Sequence, residues 1–206
     1  SVLNAISIEN KPVLFTEGST DPVIIKEAWY KLYEEDIPFI PFYAFSCTYI
    51  KQLITDIRIQ TEMAGRPVFA LFDFDKAFDA WNGLKGEVIQ TDVATGLVKK
   101  WESGNSYAFM VPIPENQAIR NQVFKDLGKQ EHFGGDSHCE IEHLFYGVDG
   151  TNEYFTEENC MGGGKLIAFR SDKSKTPFAK EVVPTLEPKC FEVFRPMFEF
   201  IKQQCQ

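Results

Sequence analysis

Apolar runs and helical spacing alternate along the first part of the chain. Residues 12–16, 39–45 and 68–72 are short apolar runs, which predict buried strands. Residues 22–33 and 48–63 lie between them and carry apolar side chains at helical spacing. Strands that alternate with helices favour a parallel sheet covered by helices on its faces. The pattern therefore predicts an α/β fold.

The rest of the chain has a weaker pattern. A short helix is predicted over 76–84, and two further strands over 96–101 and 107–113. The polar stretch 114–138 predicts a loop-rich insertion, and the glycines at 162–164 predict a flexible link. Later elements are a short acidic helix over 140–146, a brief strand over 166–169, a helix over 175–183 and a C-terminal helix over about 188–204. We expect one domain over residues 1–206, with its core over about 10–113.

Composition restricts the class of protein. The chain has 206 residues, of which 44% are hydrophobic and 25% charged, which suits a domain with a sizeable core and excludes a disordered chain. No apolar run reaches the roughly 18 residues that a membrane span requires, so we expect no membrane partner. No leader pattern is visible, and the five cysteines form no CxxC pair. These features predict a reducing, cytoplasmic setting.

Charge is distributed unevenly. The formal net charge is −9, and residues 131–160 contain eight acidic residues and no Lys or Arg. Residues 165–180 carry five basic residues against one acid. An acidic total argues against a protein that coats nucleic acid by bulk attraction. It remains compatible with an enzyme that holds metal ions in carboxylates and contacts phosphate through a small basic patch, or with solvated surfaces of opposite sign.

Three carboxylates follow predicted strands directly. Glu17 comes after the first strand, and Asp73 and Asp75 come after the third. Ligands of parallel α/β sheets collect beyond the carboxyl ends of the strands, so these side chains are expected at one sheet edge. Close carboxylates raise each other's pKa unless a cation offsets them. The pattern therefore predicts a site for a hard divalent cation, Mg²⁺ or Mn²⁺.

Two motifs in this region resemble those of the TOPRIM domain. VLFTEGSTDPVIIKEAW resembles its first motif, and ALFDFDKAF resembles its DxD motif. Two later segments, CEIEHLF at 139–145 and KSKTPFA at 173–179, look like the acidic helix and late lysine segment of the overcoming-lysogenization-defect (OLD) nucleases. The resemblance covers about residues 10–183. It implies a Rossmann-like fold and a metal-dependent nuclease, such as serves phage defence or DNA metabolism.

The resemblance also implies a set of metal ligands. Glu17 would be a metal ligand or general acid/base, and Asp73 and Asp75 would bind the metal. Asp21 would complete a second metal site, although it also fits the cap of the following helix. Glu142, with Glu140 as the alternative, would add a further carboxylate. Two ions about 4 Å apart suit phosphodiester hydrolysis, because they stabilise both the attacking and the leaving oxygen.

The implied catalytic lysine is Lys175. It would stabilise charge on the phosphate in the transition state, with Lys173 and Lys165 as reserves. The expected substrate is DNA, and the sequence does not distinguish DNA from RNA. OLD-type nucleases carry an ATPase domain, whereas this chain has no Walker motif and starts with Ser1. We therefore expect the C-terminal part of a longer protein, a chain that acts alone or one that works with a separate ATPase; a homo-oligomer is also open.

Three other interpretations compete with the nuclease. The first is a TOPRIM-type regulatory or binding module whose cleavage is silenced or requires a partner. The second is a haloacid-dehalogenase-like phosphohydrolase, but that family has Thr or Val where this chain has Ala77. The third is a zinc site, for which the spacing matches no usual finger; its residues would be His132, His138, His143 and Cys139.

Overall fold

A six-stranded sheet forms the centre of the molecule. The computed structural model describes residues 2–206. The strands are β1 (Val13–Thr16), β2 (Ile40–Tyr43), β3 (Val68–Phe72), β4 (Gly86–Gln90), β5 (Val98–Trp101) and β6 (Ser106–Met110). Their order is β2-β1-β3-β6-β5-β4; the first four are mutually parallel, and β5 runs antiparallel to both of its neighbours, β6 and β4. The predicted α/β class with a mainly parallel sheet is confirmed.

Helices flank the sheet. They are α1 (Val2–Glu9), α2 (Asp21–Tyr33), α3 (Cys47–Thr55), α4 (Ile57–Met63), α5 (Phe78–Asn82), α6 (Gln117–Arg120), α7 (Lys175–Pro177) and α8 (Arg195–Gln204). The single helix predicted over 48–63 is wrong. Asp56 interrupts it in an extended conformation, and its side chain accepts a hydrogen bond of 2.8 Å from the Arg58 backbone N–H, which starts α4.

The core consists of the sheet and the aromatic side chains that cover it. All residues of β1 and β3 are buried, as expected for strands covered on both faces. Trp29 of α2 contacts Phe198 of α8, with 5.1 Å between ring centroids. The predicted C-terminal helix is α-helical only from Arg195, because residues 188–194 form 3₁₀ turns. The apolar side chains of this segment pack in the core; they are Phe191, Phe194, Met197, Phe198 and Ile201.

The second half holds more strands than predicted. The stretch predicted as a loop-rich insertion contains α6 and a hairpin of β7 (Phe124–Asp126) and β8 (Glu131–His132). A second hairpin joins β9 (Phe155–Asn159) to β10 (Lys165–Phe169), and the predicted glycine link is its tip. The acidic helix is a 3₁₀ helix, Ile141–Phe145. Residues 175–185 pass through short α, π and 3₁₀ turns rather than one regular helix.

Among residues 2–206, no helix has both the length and the apolar character that crossing a membrane requires.

Candidate active site

Glu17 and Asp73 meet at the carboxyl ends of two neighbouring strands. The parallel strands β1 and β3 pair Thr16 with Leu71, so the residues that follow them emerge at the same edge of the sheet. Glu17 Oε2 accepts a hydrogen bond of 2.7 Å from the Asp73 backbone N–H. The structure thus brings together the residues that follow the first and third predicted strands.

The DxD segment is held by its central phenylalanine. Phe74 is fully buried and forms an antiparallel bridge with Cys139, with reciprocal backbone hydrogen bonds of 2.9 Å. Side chains alternate along extended backbone, so burial of Phe74 leaves Asp73 and Asp75 on the opposite side. The same bridge places the segment that begins with Glu140 next to the DxD segment.

Asp21 lies against the turn that precedes α2. It is 4% exposed, and its Oδ2 accepts a hydrogen bond of 2.9 Å from the Gly18 backbone N–H. A Cβ atom on residue 18 would lie 2.6 Å from Asp21 Oδ1, so this close approach requires glycine. Asp21 is the first residue of α2 and Thr20 is the N-cap. The alternative in which Asp21 caps the helix is therefore wrong.

Glu142 is a buried carboxylate with an incomplete set of partners. It is 2% exposed, and its Oε1 atom has no hydrogen-bond partner. Lys175 Nζ lies 3.7 Å from that oxygen and 3.2 Å from Glu140 Oε2. A third carboxylate, that of Asp172, lies 3.9 Å from the same ammonium. Since a buried polar oxygen normally accepts a hydrogen bond, Glu142 Oε1, which has only the ion pair with Lys175, can take a further ligand.

The pKa values of the carboxylates reflect burial and mutual repulsion. Burial raises the pKa of Glu17 to about 7, against the hydrogen bond from Asp73 N–H, which lowers it. Burial likewise raises the pKa of Asp21 to about 6. Burial and the Asp21 charge raise the pKa of Glu142 to about 8. The pKa of Asp73 rises well above its usual value, through burial and then the Glu17 charge.

Lys175 is the cation of this cluster. Burial lowers the pKa of its ammonium, but the Glu142 and Glu140 carboxylates raise it more, so the net shift is upward and Lys175 stays protonated. Lys165 instead pairs with the exposed Glu157, 3.2 Å away, and Lys173 is exposed. Neither reserve lysine has an ion pair with the cluster. The cluster has one ammonium and several carboxylates. Protons or a divalent cation must therefore offset the remaining negative charge.

The carboxylates form an oxygen-only donor set suited to a hard divalent cation. Among the side chains that the structure describes, however, no three His, Cys, Asp or Glu groups are arranged to hold a metal ion. One oxygen each of Glu17, Asp21 and Asp75 instead accepts a hydrogen bond from a backbone N–H. The oxygen donors, together with Glu142 Oε1, which has no hydrogen bond, fit a divalent cation. Binding of the cation requires rotation of these side chains.

His143 supports the site and was not predicted to do so. Its Nδ1 accepts a 2.9 Å hydrogen bond from the Glu140 backbone N–H, so its Nε2 carries the hydrogen and donates to Ile167 O at 2.8 Å. Burial lowers the pKa of His143, which agrees with this neutral form. Both ring nitrogens are occupied, and the zinc set with His132, His138 and Cys139 does not assemble within residues 2–206. A hydrogen-bonding role such as this has no signature in sequence.

A small cavity adjoins the carboxylates. It has a volume of about 130 Å³, and Asp75, His138, Glu140 and Lys175 are among its lining residues. That volume accommodates about four water molecules at the density of the liquid. The site therefore combines carboxylates, a cation and room for solvent.

No protein-family model, curated protein or solved structure matches the chain. The geometry of the carboxylates and Lys175 is therefore the basis for a proposed function.

Proposed function

We propose that the chain is a metal-dependent nuclease of TOPRIM type, most like the OLD class, which hydrolyses phosphodiester bonds in DNA. The observation that carries the proposal is the cluster of buried and half-buried carboxylates at the ends of β1 and β3, in which Glu142 Oε1 has no hydrogen bond and lies 3.7 Å from the Lys175 ammonium. Buried carboxylates with raised pKa values are costly to the fold, and such groups concentrate at functional sites.

The cation ligands in this proposal are Glu17, Asp21, Asp73, Asp75 and Glu142. Mg²⁺ or Mn²⁺ held there would supply positive charge to the reacting phosphodiester and would lower the pKa of a bound water molecule. The carboxylates outnumber the single ammonium, so divalent cations would displace the protons that the raised pKa values keep on them at neutral pH.

The protein's own groups supply the remaining chemistry. Lys175 would turn its ammonium from Glu140 towards a phosphate oxygen, where it stabilises the charge that develops during hydrolysis. With a pKa raised to about 7, Glu17 is suited to accept or donate a proton near neutral pH. In the presence of cations that pKa falls, and Glu17 then acts as a ligand.

The test is cleavage of supercoiled plasmid in Mg²⁺, Mn²⁺ or EDTA. Wild type should nick the plasmid with either metal and not in EDTA. The double variant Asp73→Ala/Asp75→Ala should have no activity while it keeps the circular dichroism spectrum of the wild type. Nicking by the double variant would show that the activity does not come from the cluster, and it would refute the proposal.

The second candidate is a binding or regulatory module that requires a partner, such as an ATPase domain or subunit. The ion pairs of Lys175 with Glu140, Glu142 and Asp172 favour it, because they occupy the ammonium that a phosphate would need. Wild-type protein that cleaves with neither metal, but binds nucleic acid, would support this function over the nuclease.

A further inference from the structure

Three aromatic rings, two exposed and one half-buried, form a cluster at the end of β2. Tyr43 is the last residue of that strand, and the Phe45 ring lies beside it with 4.5 Å between centroids. Tyr49, in the first turns of α3, continues the cluster at 6.4 Å from Phe45. Phe45 is 69% exposed and Tyr49 38% exposed. Large apolar rings in contact with each other and with solvent indicate a binding surface.

Phe45 is also held in a backbone conformation that its side chain disfavours. Its φ angle is +73°, in the left-handed region that bulky residues rarely adopt. Backbone hydrogen bonds on either side hold the chain there, from Ala44 N–H to Thr16 O at 2.8 Å and from Ser46 N–H to Ala44 O at 2.9 Å. The turn therefore projects the ring into solvent rather than into the core.

The cluster adjoins the carboxylates. Strands β1 and β2 are parallel neighbours and pair Thr16 with Tyr43, so Glu17 and the aromatic cluster emerge at the same sheet edge. Cys47, two residues after Phe45, is near these carboxylates: burial raises the pKa of its thiol, and the charges of Glu17 and Asp75 raise it further. A ligand on the rings would therefore lie at the same sheet edge as Glu17.

Charge favours the approach of nucleic acid from this side. Residues 39–55 contain no acidic residue and one lysine, whereas residues 131–160 contain eight acids. A groove of about 700 Å³ continues from Phe45 and Tyr49 past Asp56 and Arg58, which form an ion pair at 2.8 Å and so add no net charge. A polyanion is repelled less here than beside the acidic segment.

We propose that Tyr43, Phe45 and Tyr49 form a stacking platform for unpaired bases of single-stranded nucleic acid. The proposal rests on the proposed function, since the platform would hold the strand whose phosphodiester reaches the carboxylates. Aromatic side chains stack on bases of any sequence, because every base has a π-face. Base pairing and stacking hide those faces in a duplex, so the platform selects single strands or unpaired segments.

The experiment measures binding in EDTA, where no cleavage is expected, by fluorescence anisotropy. The probes are labelled oligothymidylate, labelled oligouridylate and a blunt DNA duplex. Phe45→Leu and Tyr49→Leu should each weaken binding to a single strand by about tenfold, in line with the stacking energy per base. Phe45→Tyr keeps a ring and should retain the wild-type affinity. Tyr30→Leu removes another exposed ring, 60% exposed on α2, and should change nothing.

Salt dependence separates stacking from charge effects. Because Phe45→Leu removes no phosphate contact, the slope of log affinity against log salt should equal that of wild type. Tighter binding of oligothymidylate or of oligouridylate identifies DNA or RNA, respectively, and either supports the platform.

Three results would overturn the platform: wild-type affinity in Phe45→Leu, duplex binding as tight as single-strand binding, or a wild-type dimer that Phe45→Leu dissociates. The last result would assign the surface to a second copy of the chain. Metal-dependent nicking with no ring-dependent binding refutes the platform alone. Ring-dependent binding without nicking in either metal refutes the nuclease alone.

Discussion

Two lysines that are largely buried lie in opposite surroundings. Lys99 of β5 is 5% exposed, and its ammonium donates to three carbonyl oxygens at the end of α5, those of Trp81, Asn82 and Leu84, at 2.9–3.0 Å. It also lies 4.4 Å from the centre of the Trp81 ring. Burial lowers its pKa, and the nearby Lys51 lowers it further. Every donor of Lys99 is used within the fold.

Lys175 differs because its neighbours are charged. Its ammonium lies among the carboxylates of Glu140, Glu142 and Asp172, and one oxygen of Glu142 still lacks a hydrogen bond. The Lys99 ammonium satisfies the carbonyl oxygens at the end of α5, which is a stabilising arrangement. The carboxylates around Lys175 repel one another, which costs stability. Burial alone therefore does not distinguish the two lysines, whereas the charge around each of them does.

The largest expected effect is loss of stability at Lys99. Lys99→Met leaves three carbonyl oxygens without their donor, so the free energy of unfolding should fall by about 3 kcal/mol. Urea denaturation followed by circular dichroism measures it. Lys100→Met is the matched control, because Lys100 Nζ donates to exposed turn carbonyls and its loss should cost less than about 1 kcal/mol. Equal losses in both variants would show that the carbonyl cage stabilises nothing.

The next effect concerns catalysis at Lys175. Lys175→Ala should lower metal-dependent nicking by about 100-fold, because the charge on the phosphate loses its fixed partner. Lys173→Ala is the matched control, since it removes an exposed lysine two residues away and should change the rate by less than about threefold. The rates come from single-turnover plasmid assays. A similar loss in both variants would show a general effect of basic charge.

The third effect is a pH dependence of stability in EDTA. Glu17 and Glu142 have folded-state pKa values raised to about 7 and about 8, above their unfolded values, so the folded state binds more protons. Stability should therefore fall as pH rises from about 6 to about 8, as ionisation of these groups becomes costly. Differential scanning fluorimetry should show the Tm decrease over that range.

Glu142→Gln tests the origin of that decrease. Glutamine has the size of the acid and cannot ionise, so the Tm should change less over the same pH range. A variant with the full wild-type decrease would show that Glu142 is not responsible. Such a result would weaken the contrast between the carboxylate cluster and the neutral surroundings of Lys99.

The smallest effect concerns the hairpin of β9 and β10. Lys165 and Glu157 form an exposed ion pair at 3.2 Å, so Lys165→Ala should change the free energy of unfolding by less than about 0.5 kcal/mol. Urea denaturation again measures it, and nicking should stay at the wild-type rate. A loss of nicking as large as that of Lys175→Ala would move the catalytic lysine to residue 165.

The sequence predicted the parallel half of the sheet because its strands are buried on both faces. The strands β1 and β3 therefore appear as unbroken apolar runs. By contrast, Gly86–Gln90 lies at the exposed edge of the sheet and Phe155–Asn159 is mostly exposed, so neither has an apolar pattern. The helix break at Asp56 depends on one side-chain hydrogen bond, which hydrophobic spacing does not reveal.

The candidate site, like the fold, could be predicted from the sequence only in part. The meeting of Glu17 with Asp73 follows from strand order alone, so it could be predicted. The approach of Glu142 to Lys175 depends on a bridge at Phe74, a 3₁₀ helix and a series of irregular turns, none of which has a sequence signal. Glu142 and Lys175 were predicted from the resemblance to a known family and not from their spacing along the chain.

The most direct test of the central claim is calorimetric titration of the chain with Mn²⁺ at neutral pH. The claim is that the carboxylate cluster around Asp73 is a divalent-cation site. Wild type should bind Mn²⁺ with release of protons, because the raised pKa values leave some carboxyls protonated. Asp73→Asn/Asp75→Asn, confirmed as folded, should show no such binding. Equal binding by both proteins, or none by wild type, would contradict the claim.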